Sequence, residues 1–189
     1  MVNKFLALLT KLATGWWVMI FLFLVIAVNA WVVPAIYPPQ TLDIQSSYSP
    51  EQAYQFIESY GKEGRQYYVL IELTLDLVYP ILNALMFSSL TIYFFRRVFP
   101  LDSFWQKLPL LGPIVMIVDY LENASIVTML LSYPRKLEFV AQVANVFTVT
   151  KSALTWPELI LILIGLLGWL GKTVYTRIKR DTGETAYEK

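Results

Sequence analysis

Residues Leu108–Tyr133 read LPLLGPIVMIVDYLENASIVTMLLSY. A run this apolar, and longer than the ~20 residues that cross the hydrocarbon core of a bilayer, predicts a membrane-spanning helix. Inside it, VDYLENASI (Val118–Ile126) sets Asp119, Glu122 and Asn123 where lipid would meet them. A centrally placed Asp costs about 2.5–3.5 kcal/mol on the insertion scale, so these side chains are expected to turn toward other protein.

Working outward, three further runs have the same character: Trp16–Tyr37, Tyr67–Phe95 and Leu154–Tyr175. The expected fold is all-α, a transmembrane four-helix bundle. Residues 1–176 would form one four-span membrane domain, with spans near 16–37, 67–95, 108–133 and 154–175. Residues 177–189 would be a polar, frayed tail. Trp and Tyr sit at most span ends, as interfacial anchors do. Composition agrees: 57% of the 189 residues are hydrophobic and 15% charged, against nearer a quarter charged in soluble domains. Mean hydropathy is +0.53.

Lys and Arg divide into two groups. Lys4, Lys11, Arg96, Arg97, Lys107, Lys172, Arg177, Lys179, Arg180 and Lys189 fall on one side; Lys62, Arg65, Arg135, Lys136 and Lys151 fall on the other. The richer side is expected to be cytoplasmic, which places both termini inside an inner or plasma membrane. A rival reading makes the N-terminus a signal peptide cleaved after Val28-Asn29-Ala30; the apolar run continues past that point to Tyr37, which favours a retained span.

One or two short amphipathic helices are expected on the outer side. After Pro38-Pro39, which open an extended loop, Ser49-Pro50-Glu51-Gln52 supplies an N-cap, a proline at the first helical position and a capping-box Gln. Ala53, Phe56, Ile57 and Tyr60 fall on one face, and Gly61 ends the helix. This helix is expected to rest on the membrane surface. A second periodic stretch, Leu137 to Phe147, reads either as a separate surface helix or, preferably, as an outer extension of the fourth span, with Pro157 marking a bend.

Several function classes are excluded by composition. Net charge is +1 and no basic stripe appears, so nucleic acid is not an expected partner. With no Cys and no His, thiol catalysis, thiolate zinc sites and every histidine-dependent triad are impossible. Nothing calls for a cofactor, and no metal site is assigned.

The second span carries acids of its own. Glu72, Asp76, Tyr79 and Asn83 are spaced i, i+4, i+7 and i+11, one face of a helix. If the span enters the hydrocarbon near Tyr68, Asp76 lies roughly 12 Å deep, level with Glu122 on the antiparallel third span. Pro80 cannot donate to the carbonyl of Asp76, which leaves that carbonyl free as an acceptor and invites a bend. Asn83, Asn123, Tyr79, Tyr120 and Asn29 are the available donors. Arg65 and Lys151 are the nearest cations, with Lys151 expected to reach Glu72. Four clustered carboxylates in low dielectric require shared protons or a cation among them.

The candidate ligand-binding set is therefore Glu72, Asp76, Asn83, Asp119, Glu122, Asn123 and Lys151. Four roles follow for it: binding a cationic or amphipathic small molecule or lipid, relaying protons in a small transporter, joining helices in an assembly subunit, or, least favoured, acid/base catalysis by a Glu and a neighbouring carboxylate. Four helices without a repeat would have to form a homo-oligomer to transport. Gly165 and Gly168 mark close helix packing or a dimer face.

The step Asp119-x-x-Glu122-Asn123, followed by Thr148-x-x-Lys151 in FTVTK, resembles a group of uncharacterised, mostly bacterial, four-helix membrane proteins. The resemblance implies one site containing Asp119, Glu122, Asn123, Thr148 and Lys151, and brings no activity with it. In topology the chain is similar to EXPERA-domain proteins, the sterol isomerase and sigma-2 receptor group, with IELTLDLVYP (Ile71–Pro80) placed like their acid-bearing second helix. The isomerase-type histidine is absent, so this resemblance, one of topology and not of motif, does not imply isomerisation but stays compatible with ligand binding.

Overall fold

The structure, a computed structural model, describes residues 2–37 and 41–181. Pro38, Pro39 and the chain beyond Asp181, Lys189 included, lie outside the described residues, as does the side chain of Lys4. Among the described residues every regular element is helical. They run α1 (Val2–Leu12), α2 (Gly15–Ala27), a π turn (Val28–Val32), α3 (Val33–Ile36), a 3₁₀ turn (Leu42–Ile44), α4 (Pro50–Ser59), α5 (Gly61–Glu72), α6 (Leu75–Val98), a 3₁₀ stretch (Phe104–Leu110), α7 (Leu111–Ser132) and α8 (Glu138–Asp181).

Four helical segments are long and apolar enough to cross a membrane: Gly15–Ile36, Gly61–Val98, Phe104–Ser132 and Glu138–Asp181. Their apolar faces remain largely uncovered by protein, with Phe23, Val78, Ile117, Leu163 and Leu167 all exposed. A helix that shows apolar residues on all sides needs an apolar surrounding.

The first segment is not a uniform α-helix. Pro34 cannot donate to the carbonyl of Ala30 and would crowd it. The chain widens into the π turn just before, and Asn29 donates to the Val25 carbonyl at 2.8 Å. The second segment is broken at Leu73–Thr74, where Thr74 leaves helical geometry (φ −123°, ψ −75°) and its hydroxyl donates to the Leu70 carbonyl at 2.6 Å. The expected bend is thus six residues before Pro80, and Glu72 and Asp76 stand on two different helices. α7 begins as 3₁₀, and the Ser88 hydroxyl donates to the Pro109 carbonyl at 2.8 Å.

α8 spans 44 residues without interruption at Pro157. At 1.5 Å per residue that is roughly 66 Å, about twice a ~30 Å hydrocarbon core. The stretch after Glu138 is therefore an extension of the fourth span. At the other end, residues 177–181, expected to open the frayed tail, continue the helix.

α6, α7 and α8 pack mutually, while α2 has α6 as its main partner. Close approach of α8 to α6 depends on Gly165 and Gly168. A Cβ at Gly165 would stand 2.8 Å from the Phe94 Cβ, and one at Gly168 would stand 2.8 Å from a Val98 methyl. Both glycines are therefore spent inside the chain, which removes them as a dimer face.

Beyond the spans, α4 docks on protein. Ala53, Tyr54 and Ile57 are buried with Leu42, Tyr48, Tyr68, Ile126, Met129, Ala141 and Ala144. This small head joins α4 to the ends of α5, α7 and α8, so the apolar face of α4 packs against these helices. Its start follows the capping-box rule: Gln52 N–H donates to Ser49 Oγ at 3.3 Å, and Ser49 N–H to Gln52 Oε1 at 2.8 Å. The turn into α5 places Gly61 at φ +63°, the left-handed region that suits glycine.

Candidate ligand site

α7 and α8 meet along Asp119, Glu122, Thr148 and Lys151. Lys151 Nζ lies 3.1 Å from Asp119 Oδ1 and 2.5 Å from Glu122 Oε2. The second contact is an ion pair off the hydrogen-bonding direction, since Glu122 Oε2 has no aligned donor. Glu122 is fully buried. Its other oxygen accepts from the Thr148 hydroxyl at 2.6 Å. Thr148 also stands 3.2 Å from the Tyr48 hydroxyl in the head. Burial pushes the Tyr48 phenol up to about 12, so it stays a neutral hydroxyl.

α6 joins through its backbone. The Asp76 carbonyl, left without a helical donor by Pro80, accepts from Asn123 Nδ2 at 3.3 Å. The Leu77 carbonyl accepts from the Tyr120 hydroxyl at 2.6 Å. The Asp76 side chain accepts from the Tyr37 hydroxyl. Tyr79 pairs with Asn29 on the π turn, the two side chains lying 2.8–3.0 Å apart.

Of the expected site residues, Asp119, Glu122, Asn123 and Lys151 come together with Asp76. Glu72 does not join them by contact. It is 3% exposed, and neither carboxylate oxygen has a hydrogen-bond partner. Lys151 is pledged to the α7 acids and makes no contact with Glu72, which is the last residue of α5, just before the Leu73–Thr74 break. Arg65 is also elsewhere, stacked 4.3 Å over the Tyr133 ring and donating to the Ile57 carbonyl. Asn83 lines a cavity beside Asp119 and Lys151.

Two cavities share the Asp119–Lys151 pair as a wall. One, about 200 Å³, is bounded by Asn29, Tyr37, Asp43, Asp76, Asn123 and that pair. The other, about 450 Å³, lies among α6, α7 and α8 and is mostly apolar, with Asn83 and Glu158 at its wall. Five acids, Asp43, Glu72, Asp76, Asp119 and Glu122, lie within electrostatic range of Lys151, and of these Asp119 and Glu122 touch it. No group of acids among the described residues has the arrangement to hold a metal ion.

Sequence reading missed Tyr37, Asp43, Tyr48 and Glu158. Glu158 had a signal: it is an acid inside the fourth span, seven residues after Lys151 and so on the same face. Asp43, which accepts from Tyr68 at 2.6 Å, and Tyr48 sit in a loop whose docking no local pattern encodes.

No protein-family model matches the chain, and no curated protein or solved structure matches it either.

Proposed function

We propose that this chain is an integral membrane protein that binds a cationic or amphipathic small molecule, or a lipid, in an acidic pocket among its spans. In this reading the spans form a four-helix bundle in an inner or plasma membrane, with the α4 head outside and both termini cytoplasmic. The observation that carries it is the pair of cavities meeting at Asp119 and Lys151. A network serving only to join helices would be packed shut. Here the acids outnumber their cation, and the unfilled space lies beside them. Sites for small molecules are commonly about 300–1,000 Å³, largely apolar, with a few convergent polar groups.

Native mass spectrometry of the purified protein tests this against Asp119→Asn and Glu122→Gln. A co-purified ligand that is lost from the variants supports binding. Unchanged ligand content with a lower melting temperature assigns the acids to helix joining and sinks the proposal.

A proton-relay role is favoured by one separate observation, the continuous polar chain Tyr48–Thr148–Glu122–Lys151–Asp119 running from the head to both cavities. Proton flux in liposomes that stops with Thr148→Val would support it.

A further inference from the structure

We propose that the α6–α7–α8 cavity takes a single-chain amphiphile through its protonated amine, with Glu158 as the counter-charge and Asn83 as the second polar contact. This rests on the ligand-binding reading above and names the ligand class for it. Three observations carry it.

The first is the charge left over. Lys151 is committed to Asp119 and Glu122. Glu158 faces the same cavity, and among the described residues it has neither an ion pair nor a hydrogen bond; Asn83 has no hydrogen bond either. A carboxylate beside apolar walls is best answered by a cation that brings its own donors, and an ammonium does both. An anionic head would be repelled, and an alcohol would leave the charge uncompensated.

The second is the make-up of the wall. Besides its polar groups the cavity is lined by Ala84, Phe87, Val115, Met116 and Ile162, an apolar surface against which an alkyl chain can lie. Glu158 lies roughly 10 Å along α8 from Lys151, so a bound head group and Lys151 need not crowd each other.

The third is the mouth. Trp156 and Leu159 line the cavity yet are 68% and 52% exposed. They lie within the apolar part of α8, so the opening faces the hydrocarbon, from which an amphiphile can enter tail and all.

Native mass spectrometry of the full chain with dodecylamine and 1-dodecanol tests the assignment. Wild type should retain one dodecylamine and hold 1-dodecanol more weakly. Glu158→Gln, which keeps the side-chain volume, should cut dodecylamine retention about tenfold while leaving 1-dodecanol unchanged. Met116→Trp, which fills the cavity, should reduce both. Dodecylamine retention unaffected by Glu158→Gln overturns the inference. If it falls instead with Asp76→Asn, the pocket reading survives and the Glu158 assignment is lost. If wild type retains neither probe, the inference is lost, while the broader ligand-binding reading still stands or falls with its co-purified ligand.

Discussion

Pro80 and Asn123 act on one atom. Pro80 withholds a donor from the Asp76 carbonyl, and Asn123 supplies one from α7. Asn123→Ala should therefore cost about 1 kcal/mol of unfolding free energy, the net worth of a buried hydrogen bond. In a Pro80→Ala background the new backbone N–H can serve the carbonyl, so the same change should cost clearly less. A double-mutant cycle in bicelles reads the difference; additive effects would show that the two residues are not coupled. Lys151 is the heavier case. Lys151→Met leaves Asp119 and Glu122 without their cation and should destabilise by about 3–5 kcal/mol. Adding Asp119→Asn and Glu122→Gln should recover most of the loss, because neutral amides need no counter-charge. Thermal melts of the three proteins check this order.

At the scale of elements, the α4 head is tied to the spans through Tyr48, whose backbone N–H also donates to Asn145 at 2.8 Å. Its phenol has a pKa raised from 10.0 to about 12 by burial. The folded state therefore favours the protonated form. That contribution is fully present below pH 10 and is lost as pH rises through about 12. Hydrogen exchange in α4 should accelerate across this window in wild type, and less so in Tyr48→Phe, which has no proton there to lose. How far these elements were legible depended on the range of the forces involved. The α4 capping box was readable because its bonds close within four residues. The level of Asp76 with the Asp119–Asn123 step was readable because rise per residue fixes depth, and Pro80 named the acceptor. Azimuth was not readable. A two-residue break at Leu73–Thr74 leaves Glu72 at the end of a separate helix, and Lys151 pairs with the α7 acids instead. The docking of α4 depends on Ala141 and Ala144, which are nearly ninety residues distant and carry no mark of their partner.

For the whole molecule, orientation is the first thing to measure, and the absence of cysteine makes that simple. Gln55 on α4 and Arg177 near the end of α8 are both exposed. In intact cells, Gln55→Cys should react with a membrane-impermeant maleimide, and Arg177→Cys should react only after permeabilisation. The reverse pattern would invert the proposed topology.

Lys151 also comes late in the chain, and this bears on biogenesis. When α7 leaves the ribosome its two acids lack Lys151, the cation they contact in the finished fold, which is still to be made. Each would carry a penalty of a few kcal/mol if α7 had to partition into lipid alone. α7 and α8 are separated by only residues 133–137, short enough for the two to be delivered as a hairpin whose charges are already matched. A chain stopped after Ser132 should then insert α7 inefficiently in a microsomal glycosylation assay, and Asp119→Asn with Glu122→Gln should restore insertion. On the proposed membrane reading, the ion pair that closes the mature fold would thus also set the unit in which the second half of the chain is inserted.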